Sequence, residues 1–104
     1  MEQGDARAGP ARGSQSSRRR LLVEGRVQGV GYRVTCARQA RAAGLAGWVR
    51  NLGDGSVEVI LQGTPEVVSE IERWCSRGPR MAVVTNVSAS DEPTVSDTAG
   101  FEIR

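Results

Sequence analysis

The chain reads as an α+β sandwich, an antiparallel sheet with two helices on one face, and three observations predict it. Apolar residues alternate at a period of two in some segments and recur every three to four in others, in the order β-α-β-β-α-β with a short strand to close. A Gly-Asp-Gly run separates the second and third strand-like segments, whereas the other changes of period run through helices. The 104 residues suffice for one core and leave little for a second.

Residues 1–17 are rich in Gly, Ala, Ser, Arg and Pro and hold almost nothing to bury, so they are expected to be a disordered tail, with the domain spanning 18–104. Leu21 and Val23 share one face of a first strand that starts near Arg18 and ends at Gly25. Val34, Ala37, Ala40 and Ala43 recur at helical spacing, and Gly44 is placed to stop that helix in a left-handed conformation. Residues 46–51 and 56–62 form two strands joined through Gly53, Asp54 and Gly55, with Val57, Val59 and Leu61 on one face of the later one. Thr64 is expected to cap a second helix that has Pro65 at its first position, Val67, Val68, Ile71, Trp74 and Cys75 as its apolar side, and Gly78-Pro79 at its end. Residues 82–90 read as another strand, and Phe101 with Ile103 alternates in the closing one. This is the element order of a ferredoxin-like sandwich, in which right-handed crossovers set the first strand in mid-sheet beside the third. Such a fold serves many functions, so function has to be read from a site.

Composition excludes several classes. There is no histidine, which removes Ser-His-Asp and Cys-His catalysis and most zinc sites, and there is no lysine. The two cysteines, Cys36 and Cys75, both fall in helical segments and read as small buried apolar residues, without a disulfide framework. Five arginines (7, 12, 18, 19, 20) stand against Glu2 and Asp5 in the first twenty residues, while the remainder has nine arginines against ten acids. Basic character therefore belongs to the tail, which argues against a nucleic-acid face on the domain. No apolar run approaches the ~20 residues of a membrane span and no leader is evident, so the expected setting is cytoplasmic, without membrane or metal.

Gly25-Arg26-Val27-Gln28-Gly29-Val30-Gly31-Tyr32-Arg33 joins a strand to a helix N-terminus. Its glycines let successive amides converge, and the helix dipole favours an anion there, with Arg33 as a forked permanent charge. The spacing is neither that of a Walker loop nor that of a dinucleotide fingerprint. Arg50 and Asn51 close the second strand, at an end that can lie near this turn.

These residues resemble two signatures of the acylphosphatases. Val23 to Arg33 is similar to their phosphate loop, Gly47-Trp48-Val49-Arg50-Asn51 with Gly55, Val57 and Gly63 to their second motif, and the likeness extends from Leu21 to the Phe-x-Ile-Arg ending. The resemblance implies a ferredoxin-like enzyme in which the amides of Gln28, Gly29, Val30, Gly31, Tyr32 and Arg33 bind the substrate phosphate with the Arg33 side chain, and Asn51 holds the attacking water. Tyr32 stands where the family usually has Phe, adding a hydroxyl that needs a partner. Cys36 stands where Thr is common.

A carboxylate leaving group needs no general acid, which suits a chain without histidine. The expected reaction is metal-independent hydrolysis of a small acyl phosphate to a carboxylate and inorganic phosphate, the latter also an inhibitor, by a monomer without cofactor. A non-catalytic phosphate- or carbamoyl-phosphate-binding module is the main rival, and the absence of a partner domain in this sequence favours the enzyme. An RNA-binding domain using Arg18 to Arg20 is the second, disfavoured by few aromatic residues for an open sheet face.

Overall fold

The computed structural model describes residues 16–104, so the expected tail falls, but for its last two residues, outside the described residues. Strands β1 (Ser17–Arg26), β2 (Ala46–Asn51), β3 (Val57–Gly63), β4 (Val83–Glu92) and β5 (Phe101–Ile103) form one sheet in the order β4-β1-β3-β2-β5, with helices α1 (Tyr32–Ala42) and α2 (Pro65–Arg77) between them. β1 sits between β3 and β4 as right-handed crossovers require. α1 packs over β2 and β5, and α2 over β1, β3 and β4.

The sheet departs from the expected antiparallel pairing at its last strand. β5 runs parallel to β2, with Gly47 opposite Phe101 and Val49 opposite Ile103. After β4 the chain crosses to the far edge before β5 begins, so β5 meets β2 from the same end instead of doubling back as a hairpin.

Alternation is what builds the core. Leu21, Val23, Val49, Val57, Val59 and Leu61 point to the helices and are fully buried, closed over by Cys36, Ala37 and Ala40 from α1 and Val68, Ile71 and Cys75 from α2. Val34 is a correction to the expected helical stripe: it is 54% exposed, because the face of α1 that meets the sheet starts at Tyr32 and continues through Cys36, Ala37 and Ala40. Gly44 has the expected positive φ of 75°. Thr64 precedes Pro65 at the start of α2, but its hydroxyl makes no capping hydrogen bond, so the fixed φ of Pro65 and the burial of Val68 and Ile71 set that terminus. Among the described residues no helix is long and apolar enough to cross a membrane.

The Tyr32 hydroxyl finds its partner in the fold. It donates to the carbonyl of Cys75 at 2.8 Å, deep between the helices, and its ring lies 5.6 Å from that of Trp74. In a continuing helix the Cys75 carbonyl would accept from the amide four residues on, but that residue is Pro79 and has no N–H. The phenol supplies the missing donor and ties the first residue of α1 to the last turn of α2. Burial pushes its ionisation up, so it remains a neutral donor at any physiological pH. Tyr32→Phe strands a buried acceptor and is expected to lower stability by about 1 kcal/mol in urea denaturation, with activity nearly unchanged.

Candidate active site

β1 and β2 both run antiparallel to β3, so they are parallel to each other and finish at the same end of the sheet. Val23 and Asn51 both stand opposite Val57, one on each side of it. The turn that leaves β1 and the residue that ends β2 are brought together by this register. A recess of about 120 Å³ opens there, lined by Val27, Gly29, Gly31, Tyr32, Arg33, Val34 and Asn51.

The loop half of the recess is made of backbone. Gly29 and Gly31 have φ of 76° and 80°, left-handed values that a side chain adopts only with strain, and open space surrounds both α-carbons. Gly31 is the N-cap of α1, and helical bonding begins with the Thr35 amide donating to the Gly31 carbonyl at 3.1 Å. The amides of Tyr32, Arg33 and Val34 therefore have no acceptor within the helix and point to the recess end. The first turn of α1 holds no acidic residue that would compete for them. Unsatisfied amides and the positive end of the dipole favour an anion here before any side chain is counted.

The other half is one amide side chain and one guanidinium. Asn51 reaches the recess from the last position of β2, and Arg33 borders it from the second residue of α1. Arg33 Nη1 also donates to the main-chain oxygen of Arg104 at 3.0 Å, which holds one side of the guanidinium against the end of β5. Of the residues that sequence reasoning named, Gly29, Gly31, Tyr32, Arg33 and Asn51 line the recess. Gln28 and Val30 do not: Val30 packs against the core, and the Gln28 side chain turns toward the β2–β3 hairpin. Val27 and Val34 line it without having been named, as does the contact from Arg104; a lone valine beside a glycine turn and a distant chain segment carry no local signal.

Arg50 does not join Asn51 at the recess. Neighbours on a strand face opposite ways, and Arg50 lies on the open face of the sheet, where its Nε donates to Glu58 at 2.8 Å and its guanidinium stacks 4.9 Å from the Trp48 ring centroid. Arg20 donates to the other Glu58 oxygen, and Arg104 stacks on Trp48 at the same distance as Arg50. Burial pushes the Glu58 carboxyl up, but the hydrogen bonds and charge of Arg20 and Arg50 outweigh it and hold the carboxyl below its ordinary range. Among the described residues no group of three or more His, Cys, Asp or Glu side chains could hold a metal ion.

The acylphosphatase family profile matches residues 19–103. A curated acylphosphatase of Synechococcus sp. (strain WH7803) is 52% identical over 89 residues, spanning 86% of this chain and 88% of that protein. Among solved structures, an acylphosphatase from Coxiella burnetii superposes with a TM-score of 0.82 at 31% identity, covering 89% of this chain and 97% of that one. Acylphosphatase from Bacillus subtilis gives 0.81 at 32% identity, with 85% of this chain and 98% of that one covered.

The Glu58 network has a testable sign. A depressed folded-state pKa contributes stability above the unfolded value of roughly 4.3, and that contribution fades as pH falls through the lower folded value. Both arginines are more than a third exposed, so water screens the pairs, and Glu58→Gln is expected to cost about 1–2 kcal/mol at pH 7. Urea titrations at pH 7 and near pH 3 should show the gap between the two proteins closing at the acid end.

Proposed function

Since the chain belongs to the acylphosphatase family and hydrolyses acyl phosphates, we propose that it does so with the loop amides of residues 28–33 and the Arg33 guanidinium on the phosphate and with Asn51 on the attacking water. The observation that carries this reading is the recess itself, in which an unsatisfied helix terminus, Arg33 and Asn51 face one space.

Water attacks phosphorus opposite the bond that breaks, the P–O bond to the acyl group, and the electron pair of that bond leaves on the carboxylate. A carboxylate is stable at neutral pH, with a conjugate acid of pKa roughly 4, so departure needs no proton donor. None of the side chains lining the recess is an acid. In phosphoryl transfer the protein's work is to place the reactants and to stabilise charge on the three equatorial oxygens. Converging amides and Arg33 do the second. Asn51 does the first: a carboxamide neither takes a proton nor forms a covalent intermediate readily, but its oxygen and its N–H groups fix a water in two directions. The water's proton passes to a phosphate oxygen, giving carboxylate and inorganic phosphate. The product retains the dianion that the cradle recognises, so inorganic phosphate is a competitive inhibitor.

The same logic limits the substrate. A phosphomonoester expels an alkoxide and requires an acid, so alkyl phosphates are poor substrates. The site also reads as metal-independent, since leaving-group departure and charge stabilisation are both accounted for. We take the protein to act as a monomer in the cytoplasm, a reducing compartment that suits its two buried free thiols.

Purified protein should release phosphate from benzoyl phosphate, with or without a chelator, whereas a carbamoyl-phosphate-binding module would bind without turnover. Arg33→Ala is expected to abolish turnover and weaken inhibition by phosphate. Asn51→Ala should lower kcat by about 10²–10³-fold while the phosphate Ki stays within about threefold. Loss of phosphate binding in Asn51→Ala with turnover per bound substrate intact would reverse the assigned roles.

A further inference from the structure

The Gln28 side chain has no part in the chemistry just described, yet it is among the most committed polar groups near the site. Its Nε2 donates to the carbonyl of Leu52 and to the carbonyl of Ser56, both at 2.8 Å and both partly buried. These carbonyls face each other across the hairpin that follows Asn51. Each already has a main-chain donor: the Leu52 amide bonds to the Ser56 carbonyl at 2.8 Å, and the Gly55 amide to the Leu52 carbonyl at 3.2 Å. The two N–H groups of one carboxamide thus complete two acceptors that the hairpin leaves half satisfied.

Among the described residues the sheet provides no other direct hydrogen-bonded link between these parts. β1 pairs with β3 and β4, while β2 pairs with β3 and β5, so the loop after β1 and the end of β2 are separated by the width of β3. Among the described residues, Gln28 makes the hydrogen bonds that join loop 27–31 to hairpin 52–56. The hairpin is itself stiff: Asp54 accepts from the Ser56 amide at 3.0 Å and from its hydroxyl, which holds the Asp54 carboxyl below its ordinary range. A rigid hairpin fastened to a glycine loop through one side chain moves with that loop.

We propose that Gln28 is a positioning residue, whose carboxamide sets the separation between the phosphate held by loop 28–33 and the water held by Asn51. The inference rests on the reading that Asn51 holds that water. Its backbone amide belongs to the cradle, but its side chain acts through Asn51, by fixing the residue next to it in the chain. In-line attack tolerates little error, and a misplacement of about 1 Å costs on the order of 100-fold in rate. Binding of the ground-state anion, which is governed by amides and Arg33, does not depend on that separation.

The test is a double-mutant cycle on benzoyl phosphate hydrolysis, with inhibition by inorganic phosphate measured in every variant. Gln28→Leu keeps the approximate shape and removes both donors, and Gln28→Glu keeps the shape and turns a carboxylate on two carbonyls. Both are expected to lower kcat about 10- to 100-fold with the phosphate Ki within about twofold of the parent, which also certifies a folded loop. In the Asn51→Ala background Gln28→Leu should change kcat by less than about threefold, because the group it positions is gone. Gln28→Glu should regain rate relative to the parent as pH falls toward about 5, where protonation restores one donor. A full Gln28→Leu effect in the Asn51→Ala background, or a Ki that rises in step with the loss of kcat, overturns the positioning role while leaving the Asn51 role standing. If Asn51→Ala alone left kcat intact, the water-holding role would fall and this one with it.

Discussion

β3 carries the site although it contributes no residue to it. Val57 is fully buried and pairs with Val23 on one side and Asn51 on the other. Because both neighbours run antiparallel to β3, their ends coincide, and everything that follows depends on that register. A slip of one residue on either side would turn Leu21 and Val23, or Val49, away from the helices. The position of Asn51 relative to the β1 loop is therefore enforced by the burial of valines and leucines some distance from the recess. Side chains of that size contribute about 1.5–3 kcal/mol each when fully buried, more than any single polar contact near the site.

The arginines of the sheet are held by partners within the fold, and Arg33 of α1 is placed differently. On the open face Arg20 and Arg50 close on Glu58, and Arg50 and Arg104 both stack on the Trp48 ring. Arg19, on the helix side, is taken by Glu72 and Asp91. Each of these cations is spent on a partner within the fold. Among the described residues Arg33 pairs with no Asp or Glu side chain: its Nη1 donates to the main-chain oxygen of Arg104, and the residue borders the recess. A dianion in the recess meets one guanidinium and a ring of amides, with no carboxylate among the residues lining the space.

Local chemistry was readable in the sequence wherever one residue type determines the backbone. Gly29, Gly31 and Gly44 take left-handed values, Pro65 starts α2, and Gly53-Asp54-Gly55 turns the hairpin, each within a few residues of its cause. Element order followed from hydrophobic periodicity, and the place of β1 from crossover handedness. What escaped depended on partners far along the chain. The parallel approach of β5 is set by where the loop after β4 leaves it, and Val34 is exposed because Tyr32 fixes the rotation of α1, whereas the turning of Arg50 away from Asn51 follows from strand alternation and was there to be read. Gln28 was counted for its backbone, and nothing within the loop hints that two carbonyls 24 and 28 residues away would claim its side chain.

Tyr32 shows how the cradle acquires rigidity that glycine alone cannot provide. Two left-handed glycines allow the loop to curl, but the same freedom would let it uncurl, at an entropic cost each time an anion is bound. The ring of Tyr32, one residue beyond Gly31, is fully buried, and its hydroxyl is bonded to the last turn of α2. Burial of the ring against Trp74, more than the hydroxyl bond, fixes the first turn of α1 between the helices, so the direction of its amides survives loss of the hydroxyl. The Gln28 side chain has a different task, tying the loop to the hairpin that follows Asn51. With the helix end of the loop held by burial of that ring, the amides are already aimed toward the recess, and little reorganisation is left to be made at the moment of reaction. On the roles proposed for Arg33 and Asn51, that preorganisation is what lets one Arg and one Asn suffice where the leaving group needs no help.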